Sequence, residues 1–156
     1  EVNMRQIEFL LNEYGESHKN KTNIVIHAIA VPAIYFVTLG LLWSLPTPNF
    51  LAYFDITWAH VFVIPALYYY FRLSGPIGAA MTLLSILSFF GIKLLETLST
   101  PVWQVCLGIF VVMWILQFVG HHVEGKKPSF FKDIKFLLIG PAWWWGHWLK
   151  RLNINY

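Results

Sequence analysis

Residues 24 to 45, IVIHAIAVPAIYFVTLGLLWSL, run without a formal charge for as long as a helix needs to cross the hydrocarbon core of a bilayer, about 20 residues. Backbone polar groups inside such a stretch must be satisfied internally, which in lipid leaves helices and closed barrels. Three more apolar segments follow, at 51 to 71, 76 to 95 and 102 to 119. They predict an all-α fold, a polytopic membrane helix bundle of about four transmembrane helices forming one integral membrane domain over 1–156. Composition agrees: 12% of the residues are charged, where a soluble domain carries about 25%.

The flanking segments are of other kinds. Residues 3 to 14 place Ile7, Leu10, Leu11 and Tyr14 at helical spacing with Arg5, Glu8 and Glu13 between them, which predicts an amphipathic helix on the bilayer or the bundle. A polar loop leads to a helix start at Thr22 or Asn23. Pro32 should bend the first span, and Asp55, His60 and Pro65 interrupt the second. The third is rich in small residues such as Gly78, Ser85, Ser88 and Gly91, which permit close helix packing. The tail from 130 to 149 is broken by a Gly-Pro pair and reads as an interfacial or re-entrant element. Trp143 to Trp145 and Tyr68 to Tyr70 read as an aromatic belt. The first twenty residues lack the apolar core of a signal peptide. A lone cysteine, Cys106, excludes an internal disulfide and a zinc-thiolate site.

Four spans would put the amino terminus, the second-to-third loop and the tail on one face. That face holds Arg5, Lys19, Lys21, Arg72, Lys126, Lys127, Lys132, Lys135, Lys150 and Arg151, against Lys93 alone on the other, so it is expected to be cytoplasmic. The net charge of +3 is small and calls for no nucleic-acid partner.

His18, His27, His121 and His122 all fall on that same face, from two segments about ninety residues apart. Histidines near a membrane helix end need partners for their ring nitrogens. Convergence in depth makes these four candidate metal ligands, whereas His60 and His147 read as hydrogen-bonded helix residues. Asn23 lies four residues before His27 and Gln117 four before His121, so each amide sits one turn away where it can orient the ring. Glu124, three residues after His121, is a candidate ligand, general base or ion-pair partner of Lys126. Imidazoles with one carboxylate and no thiolate suit Fe(II), Zn(II) or Mn(II). Lys126 and Lys127 are placed to attract an anionic head group, or to anchor the helix end.

Two stretches, EYGESHKNKTNIVIHAIAVP at 13 to 32 and QFVGHHVEGKKPSFF at 117 to 131, resemble the signature blocks of the small membrane-protein family that includes the fungal 2-hydroxy fatty acid dioxygenase of phytosphingosine breakdown. The resemblance covers most of the chain. It implies an Fe(II)-dependent α-oxidation in which a 2-hydroxy fatty acid and O2 give the fatty acid one carbon shorter and CO2. Carried onto these residues, it implies metal ligation by His18, His27 and His121, with His122 either a fourth ligand or a group handling substrate and protons. It implies an endoplasmic reticulum protein in a eukaryote and an inner-membrane protein in a bacterium, working against the lipid bilayer.

Two other readings compete. A zinc-dependent membrane lipid hydrolase would use Glu124 as general base on a bound water. A non-catalytic lipid-binding protein would keep a closed structural metal site.

Overall fold

A computed structural model describes residues 5–131 and 134–156; Asn3 and Met4 of the expected amphipathic helix, and Lys132 of the basic face, lie outside them. All regular structure among the described residues is helical: α1 Gln6–Gly15, α2 Lys21–Trp43, α3 Asn49–Ala52, α4 Trp58–Leu73, α5 Gly75–Leu95, α6 Val102–Glu124, a 3-10 turn Ser129–Phe131 and α7 Phe136–Arg151. Helices α2, α5 and α6 are long and apolar enough to cross a membrane. Ile29, Ile64, Phe90 and Ile115, one from each of the four longest apolar helices, leave more than half their surface exposed. Water would not tolerate so continuous an apolar exterior, and lipid does.

The expected second span is shorter than its apolar run. Asp55 adopts a left-handed backbone, φ 55°, which Asp tolerates better than most side chains, and this separates the single turn α3 from α4. The 16 residues of α4 rise about 24 Å, short of a hydrocarbon core of about 30 Å. Ser74 then caps α4 and α5 at once, with its hydroxyl accepting from the Ile77 N–H at 3.4 Å, so the two helices pack directly on each other. Other boundaries shift for local reasons. α2 starts at Lys21 because the Asn20 side chain, rather than Thr22 or Asn23, caps it by accepting from the Thr22 N–H. α6 runs past the expected end and carries both adjacent histidines before Gly125, at φ 73°, closes it.

Helix α6 packs chiefly against α2, and two glycines allow it. A Cβ on Gly120 would collide with the Asn23 side chain, and a Cβ on Gly40 with the Cys106 sulfur. Early α2 thus meets late α6 and late α2 meets early α6, so the pair is antiparallel and brings the start of one and the end of the other together.

The tail folds back on the bundle. Phe130 packs on Trp114, 5.3 Å between rings, about ten residues down α6 from its end, before α7 climbs again. Pro32 supplies α7 with an anchor. Having no N–H, proline leaves the Ala28 carbonyl without its helical donor, and the Trp144 indole N–H donates to that oxygen at 2.9 Å. Tyr70 likewise donates to the Leu138 carbonyl at 2.7 Å. Two aromatic residues expected at the interface are therefore structural: Tyr70 is buried, and Trp143 packs inside against α1.

Candidate metal centre

His18 lies in the loop after α1, His27 two turns into α2 and His121 one turn from the end of α6. Their rings form a triangle with centroid separations of 4.3, 4.9 and 4.8 Å. Relative exposures of 4%, 0% and 5% shut them away from solvent. One ligand nitrogen from each lies within 4.8 Å of the others, which places all three within reach of one ion.

The hydrogen bonds fix which nitrogens are free. A carbonyl oxygen only accepts, so His18 Nδ1–H donates to the Tyr14 carbonyl at 2.7 Å and His27 Nδ1–H donates to the Asn23 carbonyl at 3.0 Å. Each ring is thereby held in one tautomer with its Nε2 lone pair unpaired. His18 Nε2, His27 Nε2 and His121 Nδ1 are all buried without a partner. A buried polar atom in that state costs free energy unless something occupies it. Three such atoms converging, two with the opposite nitrogen tied to a carbonyl, are the arrangement of metal-binding histidines. Burial also lowers the His18 pKa to about 4, opposed by its bond to Tyr14, so the ring is neutral near pH 7 as a ligand must be.

The supports come from distant parts of the chain. Tyr14 stacks on His18 at 4.2 Å and 11°, with Trp143 5.1 Å away on another side. The Ser17 and Ser129 hydroxyls meet at 2.6 Å. Glu124 joins the two segments of the site: its carboxylate accepts from the Lys19 N–H at 3.0 Å, the Asn20 N–H at 2.7 Å and the Asn23 amide at 3.2 Å. Lys126 donates to the Glu16 carbonyl at 2.7 Å. Glu124→Ala is therefore expected to weaken metal binding by roughly 10–100-fold while sparing insertion, as loss of a residue that orients ligands does. Metal titration of the variant checks this; unchanged affinity with abolished turnover would instead mark a general base.

Several expectations need correction. His122 is exposed and stands outside the three-histidine group, because neighbours on a helix point about 100° apart and the turn that buries His121 turns its neighbour outward. Glu124 makes no ion pair with Lys126 among the described residues, since its oxygens are taken by the N–H groups of the loop. Asn23 orients His27 through its backbone carbonyl rather than its side chain. Gln117 lines a cavity instead of bonding to His121. Lys127 lies with His122 around a surface hollow. Sequence reasoning missed Tyr14, Trp143 and Ser129. A signal for the tail was present in Pro32 beyond the bend it predicts: it leaves the Ala28 carbonyl without a helical donor, and Trp144 supplies one.

Among the described residues, three hollows lie beside His18 or His121. One between α1 and α7 is polar-rimmed, with Lys19, His147 and Lys150 beside His18. The second is the hollow by Lys126 and Lys127. The third is an apolar cavity of about 650 Å³ that begins at Tyr14 and His121 and descends between α2, α6 and α7.

The family model described as 2-hydroxy-palmitic acid dioxygenase Mpo1-like matches residues 4–152. The chain belongs to the Mpo1-like family. Among curated Mpo1-like proteins, the 2-hydroxy-palmitic acid dioxygenase MPO1 of Saccharomyces cerevisiae is 29% identical over 133 residues, which cover 84% of this chain and 72% of the yeast protein. No solved structure matches this Mpo1-like chain.

Proposed function

We propose that this Mpo1-like protein is a non-haem Fe(II) dioxygenase that converts a 2-hydroxy fatty acid and O2 into the fatty acid one carbon shorter, CO2 and water. The observation that carries this reading is the convergence of three buried, unpaired imidazole nitrogens at the head of an apolar cavity. The reaction balances without another reductant: RCH(OH)COOH + O2 gives RCOOH + CO2 + H2O. Of the four electrons O2 accepts, three come from the hydroxyl-bearing carbon and one from the carboxyl carbon.

Bound Fe(II) would supply Lewis-acid positions at which the carboxylate, the hydroxyl and O2 meet. His18, His27 and His121 would hold it. The Tyr14 and Asn23 carbonyls keep two of those rings in the ligating tautomer. Glu124 clamps the loop carrying His18 to the end of α6, a positioning role that its three hydrogen bonds to that loop and to Asn23 support. Tyr14 and Trp143 pack on the His18 ring and hold it in place. Lys127 and its neighbouring cations draw the anionic head toward this face, which a four-span topology would make cytoplasmic by the positive-inside bias.

Protein loaded anaerobically with Fe(II) and given 2-hydroxypalmitate should release pentadecanoic acid and CO2 in equal amounts with the O2 consumed, and nothing under argon. Tightly held zinc with lipid hydrolysis in the absence of O2 would overturn this in favour of a hydrolase. A folded, metal-loaded protein without turnover would favour a structural site.

A further inference from the structure

Resting on that reading, we infer that the apolar cavity below His121 is the site of the acyl chain, and that Thr38, Phe62 and Phe110 at its floor set the chain length accepted. The cavity's volume, about 650 Å³, lies within the range of small-molecule sites, roughly 300–1,000 Å³. Its shape is elongated. On α6 it extends from His121 to Phe110, which at the helical rise is about 16 Å and accommodates roughly a dozen extended methylenes. On α2 it reaches Thr38, and Phe62 from early α4 closes the same end.

Chemistry selects the occupant. His121 lines both the metal centre and this cavity, so an acid held at the histidines finds its apolar exit here. Of the other two hollows beside the histidines, one is edged by Lys19 and Lys150, which suits a head group or solvent, and the one by Lys126 and Lys127, though walled partly by Phe118 and Phe131, is an open surface hollow that does not enclose a chain. Among the described residues the lining includes, apart from His121, one amine, Lys135, whose ammonium lies over the Phe136 ring. An apolar space of this size left empty forfeits packing on all its walls, whereas a hydrocarbon chain restores it. Entry from the bilayer follows from the packing, because α6 leans on α2 and leaves its flank toward α4 without extensive contact.

The test uses the full chain in nanodiscs with a ladder of saturated 2-hydroxy acids from decanoic to icosanoic. Turnover is measured by competition, and binding by displacement of dansyl-undecanoic acid, which needs no chemistry. Thr38→Phe should move the preferred length shorter and Phe110→Ala longer. Discrimination between the old and new optimum should change by about tenfold or more, the scale of a methylene or two in an apolar pocket. Opposite shifts in both assays support the assignment. Shifts in displacement without any turnover would leave the chain site standing and overturn the dioxygenase reading. Turnover with an unmoved length profile in both iron-loaded variants would overturn the chain site alone. Absence of both binding and turnover in the wild type would overturn both.

Discussion

Replacing His121 with alanine is expected to abolish iron retention and O2-dependent turnover while leaving the bundle inserted. The same change one residue later, His122→Ala, should leave iron in place. The two residues share a motif and differ in where the helix points them: His121 is buried with an unpaired Nδ1 facing two other unpaired imidazole nitrogens, and His122 is exposed. Losing a group that merely orients a ligand costs roughly 10–100-fold in metal affinity, so loss of a ligand should exceed that range. His27→Ala should behave as His121→Ala does. Metal analysis and turnover of the three variants decide it; equal iron loss from His121→Ala and His122→Ala would make His122 a ligand after all.

The second large effect is expected where no ligand is touched. Gly120→Val should strip the protein of iron affinity, because a side chain there collides with Asn23 and pushes α6 away from α2 beside the histidines. Overpacking of this kind costs about 1–3 kcal/mol in stability. Geometry at the site should suffer more, since His121 and His27 ride on those two helices. Gly40→Val makes an equivalent clash with Cys106 at the far end of the same interface. It should cost similar stability and leave iron affinity within a few-fold. Iron titrations beside thermal melts separate the two variants; matched losses of affinity would mean that the site tracks global stability alone.

The clustering of His18, His27 and His121 was legible in the sequence because these residues stand at or beside helix ends, where short polar motifs interrupt long apolar runs. Spacing could place His18, His27 and His121 at one depth. It could not decide between His121 and His122, since that depends on how α6 rotates against α2. The Gly120 contact with Asn23 sets that rotation, and a single glycine in a membrane helix does not announce its partner. Glu124 misled for a related reason. Its spacing from His121 is right for a shared face, yet the backbone N–H groups of Lys19 and Asn20 compete for its oxygens and win. The break before α4 rested on one left-handed residue, Asp55, in a run whose hydrophobicity looked continuous. The apolar cavity was invisible to periodicity, because it is built from one face each of α2, α6 and α7, and only tertiary packing sets those faces opposite one another.

An anaerobic Fe(II) titration of the purified chain, with metal analysis after desalting, bears most directly on whether His18, His27 and His121 form one metal centre. The wild type should retain iron at one ion per chain, and a variant with all three histidines replaced by alanine should retain none while keeping its helical content. Iron that washes out of the folded wild type, or that the triple variant holds equally well, would contradict the site.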